Sequence, residues 1–229
     1  MAGRLTVVQS TGLHMEDVLR EALRALSSHS RWILWNLFLA FIPLALSFWL
    51  FRWRQARTWF WWIGLVVFIA FLPNAPYLLT DVVHLIRATQ AGYSTWVIAV
   101  FMIPVHITAI LLGTEAYVMA VINQSYYLVQ HRAQRFVLPA ELLTHALCAV
   151  GVYLGRFVRF NSWDLVTRPD EVLVTTLNHL TSERPLVVMF GTFVILTVVY
   201  WVMKQITIGL LLRVRYARQG RNVFKEALD

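Results

Sequence analysis

Charge is scarce in this chain. Of its 229 residues only 14% are charged, 59% are hydrophobic, and the mean hydropathy is +0.61. A soluble domain carries about 25% charged residues, so too few charges are present to solvate a surface of this size. Long apolar runs point the same way. Cysteine is nearly absent. Cys148 stands alone in an apolar run, which excludes an internal disulfide and a thiolate cluster and leaves packing as its expected role. Lysine occurs only at Lys204 and Lys225, so the net charge of +8 rests on arginine. No soluble segment interleaves basic and aromatic residues, and no nucleic-acid partner is expected. Walker, HExxH, GxSxG and CxxC motifs are all missing. Residues 1–31 hold no apolar h-region, so no cleavable signal is expected there.

What the chain does have is membrane chemistry. Ten tryptophans suit the headgroup boundary, where indole rings are favoured. Run length gives about five transmembrane helices in an all-α polytopic bundle. They are expected from near Trp32 to Phe51, from Trp59 into Pro73, from about Trp96 to Ile122, from Val137 to about Arg156, and from Leu186 to at least Met203. This divides the chain into an N-terminal segment 1–31, a single bundle 32–213 and a basic tail 214–229. In HMEDVLREALRALSS, Met15, Val18, Leu19, Ala22, Leu23 and Leu26 recur at helical spacing opposite Glu16, Asp17, Arg20 and Arg24. That pattern makes an amphipathic helix for a membrane surface or for the protein's own loops. TRPDEVLVTTLNHLTSERP, between the last two spans, is too polar to cross. Thr167 and Asp170 there have capping-box spacing.

Five crossings define two faces. Face B receives Arg52, Arg54, Arg57, Arg132, Arg135 and the arginines of the tail. Face A receives Arg87, Arg156, Arg159, Arg168 and Arg184, together with the N-terminal arginines. Positive charge collects in the cytoplasmic loops of membrane proteins, which favours face B as cytoplasmic and face A as outside.

The stretch FLPNAPYLLTDVVHL, from Phe71 to Leu85, interrupts the second span. Trp59 to Leu72 reaches about 20 Å at 1.5 Å per residue, against a hydrocarbon core of about 30 Å. Pro73 should therefore lie inside the membrane, with one crossing built in two pieces. Pro73 and Pro76 remove two donors, and Ala75 is expected to be extended because a proline follows it. Freed carbonyls need partners in lipid, and Asn74 is placed to supply them. The second piece is expected to start at a Thr80 cap with Asp81 in its first turn and His84 on the same side. Ionisable residues at a broken membrane helix mark binding sites; the plainer account is a cap and a boundary histidine.

A second polar stretch, GRFVRFNSWD at 155–164, ends the fourth span on the same face. Arg156 and Arg159 are one turn apart and are expected to share a side, where they would neutralise Asp81 and Asp164 or clamp an anion. Contact with lipid phosphates is the other reading. Gly151 and Gly155, four apart, permit close helix packing. Deeper in the bundle, Glu115 and His145 are expected to face inward and pair.

FLPNAPYLLTDVVHL, GRFVRFNSWD and WNLFLAFIPLALS together resemble a bacterial membrane family catalogued as a domain of unknown function, number thirteen-sixty-one, over roughly residues 32–213. The resemblance implies a multi-pass protein of a bacterial inner membrane and no reaction. It draws attention to Asn74, Pro76, Tyr77, Asp81, His84, Arg156, Arg159, Asn161, Ser162, Trp163 and Asp164.

Three functions fit these residues. The first is a non-enzymatic accessory or lipid-binding protein whose partners are the bilayer, anionic headgroups or another membrane protein. The second is an enzyme on a lipid headgroup or lipid-linked phosphate, with Asp81, His84 and Asp164 as catalytic candidates and Asn74, Tyr77, Arg156, Arg159, Asn161 and Ser162 as binding candidates. The third is a small transporter. Asp81, His84 and Asp164 lack strict metal-ligand spacing, and His106 and His145 are lone histidines on apolar helices. No metal and no cofactor is expected.

Overall fold

A computed structural model describes residues 15–53, 56–90 and 94–220, with side chains described outside 15–19, 21–30, 84, 85, 87 and 88. The expected apolar face of Met15, Val18, Leu19, Ala22, Leu23 and Leu26 lies outside the described side chains, as do Arg4, Arg54, Arg87, Arg221 and Lys225.

Among the described residues every regular element is helical and no strand occurs. The elements are α1 (Met15–Phe48), α2 (Trp59–Phe71), α3 (Asn74–Tyr77), α4 (Val82–Thr89), α5 (Thr95–Val97), α6 (Ile103–Gln130), α7 (Val137–Tyr153), α8 (Asp164–Thr167), α9 (Pro169–Leu180) and α10 (Glu183–Arg218). Five stretches are long and apolar enough to cross a membrane: Arg31–Trp53, Trp59–Asp81, Thr95–Gln130, Gln134–Val158 and Glu183–Arg218. The third runs past the expected end at Ile122 because Asn123, Ser125 and Tyr127 are buried against neighbouring helices. The start of the first span falls inside α1, which runs on from Met15 without a turn.

The core sits between α1 and α6. Ala40, Leu50, Phe68, Leu78, Tyr117, Val118 and Val121 are buried there. Toward face B it is aromatic, with Phe51 edge-on to Phe68 at 5.3 Å and Trp61 stacked on Tyr127 at 5.9 Å. The outer surface is apolar as well: Trp35, Phe38, Trp62, Phe190 and Trp201 are exposed. An apolar surface of this extent is one that lipid covers.

The second span is broken less sharply than expected. Pro73 and Leu78 have right-handed helical dihedrals, and Ala75 lies within α3 rather than in extended backbone. The chain tightens instead. The Ala75 N–H donates to the Leu72 carbonyl at 3.1 Å, and a 3₁₀ turn occupies Leu78–Asp81. Asn74 makes this possible: its Nδ2 donates to the Phe71 carbonyl at 2.9 Å, a group the shifted ladder leaves open. A side-chain donor thus replaces the backbone donor, which membrane interiors demand. Thr80 is not a cap. Its hydroxyl donates back to the Tyr77 carbonyl at 2.6 Å, and α4 begins two residues later.

Polar α9 follows the fourth span. Thr167 does not cap it either: it closes α8, donating to the Trp163 carbonyl at 3.2 Å, and Pro169 opens α9. Proline is pre-formed for that first position.

Candidate functional site

The two polar stretches meet at the face-A end of the bundle. Five pairs of residues join them. A Cβ on Gly151 would sit 2.5 Å from Pro73 Cγ, so this glycine lets α7 lie close against the break, and a Cβ on Gly155 would meet Tyr77 Cε2 at an ordinary 3.4 Å. Asn74 Nδ2 donates to Ser162 Oγ at 2.8 Å. Arg156 donates to the Tyr77 hydroxyl at 3.5 Å and to the Thr80 carbonyl at 3.4 Å.

Asp81 stands one residue beyond that carbonyl. It is 2% exposed, and neither carboxylate oxygen has a hydrogen-bond donor among the described residues. Arg156 is the cation whose field acts on it. Their neighbours along the helices are apolar and exposed: Val82, Val83 and Ile86 after Asp81, and Phe157 after Arg156. The arrangement joins a buried acceptor, a guanidinium with five N–H donors and an apolar rim.

The remaining candidates lie elsewhere. Helical spacing ends before Arg159, because a wide π-turn at Leu154–Val158 leads into Arg159 at φ 68°. The Phe160 N–H then closes the end by donating to the Leu154 carbonyl at 3.2 Å. Arg159 is the exposed left-handed residue of this cap, so it does not continue the side of the helix that Arg156 occupies. Asp164 takes its cation from Arg168 at 3.0 Å rather than from Arg156 or Arg159. It also accepts the Asn161 N–H at 2.7 Å. Those two contacts, the backbone one first, hold its carboxyl below the usual range. Asp164 and Asn161 therefore shape the loop that delivers Ser162 to Asn74. His84 lies in α4, and its side chain is outside the described residues. No group of three or more metal-ligating side chains occurs among the described residues.

The family described as protein of unknown function, DUF1361, matches residues 35–198, more than half of the chain. The chain belongs to the DUF1361 family. No curated protein and no solved structure matches it. The matched region contains both polar stretches of this DUF1361 protein, and it ends inside α10, before Tyr200 and Lys204.

A second polar cluster, unforeseen from spacing, lies inside the bundle toward face B. Glu141 Oε1 accepts from Ser125 Oγ at 2.7 Å, Tyr200 OH at 2.7 Å and Lys204 Nζ at 2.6 Å. One turn deeper on α7, His145 shares a hydrogen bond with the Tyr117 hydroxyl and lies 4.7 Å from the Tyr200 ring. Glu115 does not pair with His145 as expected. Tyr117 and Glu115 are two residues apart, about 200° around a helix, so with Tyr117 turned to His145, Glu115 faces α10. There both its oxygens accept from Thr207 Oγ1, at 2.9 and 3.0 Å. His106 is buried and bonds the Met102 carbonyl through Nδ1 at 2.8 Å. Two sequence signals point to this cluster: a lysine within an apolar run, and the i, i+4 pairs Glu141/His145 and Tyr200/Lys204.

Proposed function

We propose that this chain is a non-enzymatic, lipid-binding membrane protein. Its site at face A, built from Asn74, Tyr77, Asp81, Arg156 and Ser162, takes a polar headgroup from the bilayer. One observation carries the reading: a carboxylate buried at the membrane end, both oxygens lacking a donor among the described residues, near an arginine that donates to the preceding carbonyl. A buried charge without hydrogen bonds is costly, and such groups in membrane helices serve binding or transport. The Glu141 cluster differs, since its carboxylate already has three donors. It reads as a structural lock. The arginines of the short loops and tail support face B as cytoplasmic, and with it a site on the outer side of a bacterial inner membrane.

The test uses the full chain, delipidated in detergent and titrated with a mixture of phosphatidylethanolamine and phosphatidylglycerol under native mass spectrometry. A saturable adduct of one or two phospholipids is expected. Its retention should fall about tenfold in Arg156→Gln, the loss of one charge-assisted contact of roughly 1.4 kcal/mol or more. Only non-saturable lipid adducts, indifferent to Arg156, would overturn the reading.

A further inference from the structure

The geometry points to a headgroup that carries a phosphate and a protonated amine together, as in phosphatidylethanolamine, and we infer that the face-A site selects for that pair. The inference rests on the headgroup reading above and adds the chemical class.

Asp81 is short of donors. Its oxygens are acceptors only when ionised, and among the described residues no N–H or O–H reaches either of them. A purely anionic headgroup would bring more acceptors and leave them as they are. A quaternary ammonium brings positive charge without an N–H. A primary ammonium brings three donors and a positive charge, so it matches both requirements of a buried carboxylate.

The second half of the match is Arg156. Its guanidinium donates to the carbonyl of Thr80, the residue before Asp81, so the protein's cation and anion belong to one neighbourhood without bonding each other. An ethanolamine headgroup presents the inverse arrangement, with phosphate and ammonium separated by two carbons. Phosphate to Arg156 and ammonium to Asp81 pairs each charge with its opposite, and guanidinium suits phosphate in particular.

The third observation concerns access. Val82, Val83, Ile86 and Phe157 are exposed and apolar beside the two charged residues. Acyl chains can lie against them while the headgroup enters from the bilayer side. A soluble phosphorylated amine would carry nothing to cover them.

Native mass spectrometry of the full chain tests the inference with three lipids of identical acyl chains, bearing ethanolamine, choline or glycerol headgroups. Retention of the ethanolamine lipid should exceed that of the other two by about fivefold or more. Asp81→Asn should bring the three to one level without abolishing adducts, and Arg156→Gln should weaken all three. Equal retention of the three by the native chain would overturn the amine selectivity and leave a headgroup site standing. So would an ethanolamine preference that survives in Asp81→Asn. Absence of any saturable adduct would remove both readings. Soluble phosphoethanolamine added as competitor separates the sources: displacement of the bound lipid shows that the headgroup alone suffices, and persistence shows that the lipid as a whole is the ligand. The native-chain comparison needs no variant, so the inference stays falsifiable if a substitution misfolds.

Discussion

Lys204 Nζ on α10 lies 2.6 Å from Glu141 Oε1 on α7, and this ion pair ties the last span to the fourth inside their apolar stretches. The two side chains are 23% and 9% exposed, so water does little to screen either. Removing one member of such a pair is worse than removing both, because the survivor keeps its charge and loses its partner. Lys204→Met should therefore destabilise by about 3 kcal/mol, with Ser125 and Tyr200 still donating to the stranded carboxylate. Glu141→Gln combined with Lys204→Met should recover at least half of that loss. Unfolding in mixed detergent micelles, followed by circular dichroism, measures both.

Part of the fold and of the site was legible in the sequence. The five spans were, because apolar run length is a property of consecutive positions. So was the rescue by Asn74, since an amide next to a proline inside a membrane has one evident use. Extended backbone at Ala75 was wrong, because the preference of a pre-proline residue is weak against a ladder that can tighten to i, i+3. The Asp81–Arg156 neighbourhood was expected from face and charge. The partnership of Asp164 with Arg168 was not foreseen, although the two stand four residues apart, the spacing of a helical ion pair; what no residue type announces is the left-handed turn at Arg159 that separates Arg159 from Arg156. The Glu141 cluster depends on the rotation of three helices about their axes, and sequence spacing gives that rotation only relative to each helix itself.

Two glycines offer a contrast within one protein. A Cβ on Gly151 would meet the Pro73 ring at 2.5 and 2.7 Å, whereas one on Gly191 has nothing within 4 Å. The proline ring is rigid and cannot give way by rotating. Gly151→Ala should thus cost about 1–3 kcal/mol through overpacking and separate α7 from the break. Gly191→Ala should be neutral or stabilising by up to about 1 kcal/mol, since alanine is the better helix former. Comparable losses at both positions, in parallel thermal unfolding, would show that the close approach of α7 to Pro73 is not what Gly151 provides.

The loop at 161–168 should respond to acid. Asp164 is held below its ordinary value of 3.8, first by the Asn161 N–H and then by Arg168. A carboxyl whose folded value is depressed adds stability above the unfolded value and loses it as pH falls through the folded one. The contribution is therefore complete at neutral pH and is lost progressively as pH falls below the ordinary 3.8 toward the depressed folded value. Asp164→Asn should lie below the native chain in melting temperature at pH 7, and the gap should narrow toward pH 3. A gap that stays constant across that range would mean that the Asp164 charge contributes nothing and that only its shape matters.

The proposed orientation of the bundle rests on charge and can be read with fusions. Five crossings put the connection between the first two spans, the 131–133 turn and the C-terminal end of α10 on face B, and the 159–182 segment on face A. Face B holds Arg52, Arg57, Arg132, Arg135, Arg213, Arg215 and Arg218 close to the span ends, the positions that set topology in the membrane. On face A, Arg168 is matched by Asp164 and Glu171, but acidic residues carry little weight in that rule; the preference rests on the arginines of the short loops and the tail, against those of the N-terminal segment. A reporter active only outside the cytoplasm should be inactive when fused after Asp229 and active when fused after Asp170. The reverse pattern would place the Asp81–Arg156 site inside the cell. A ligand drawn from the outer leaflet would then be ruled out, and the same lipid titrations would have to be read for the cytoplasmic leaflet, where anionic headgroups are more abundant.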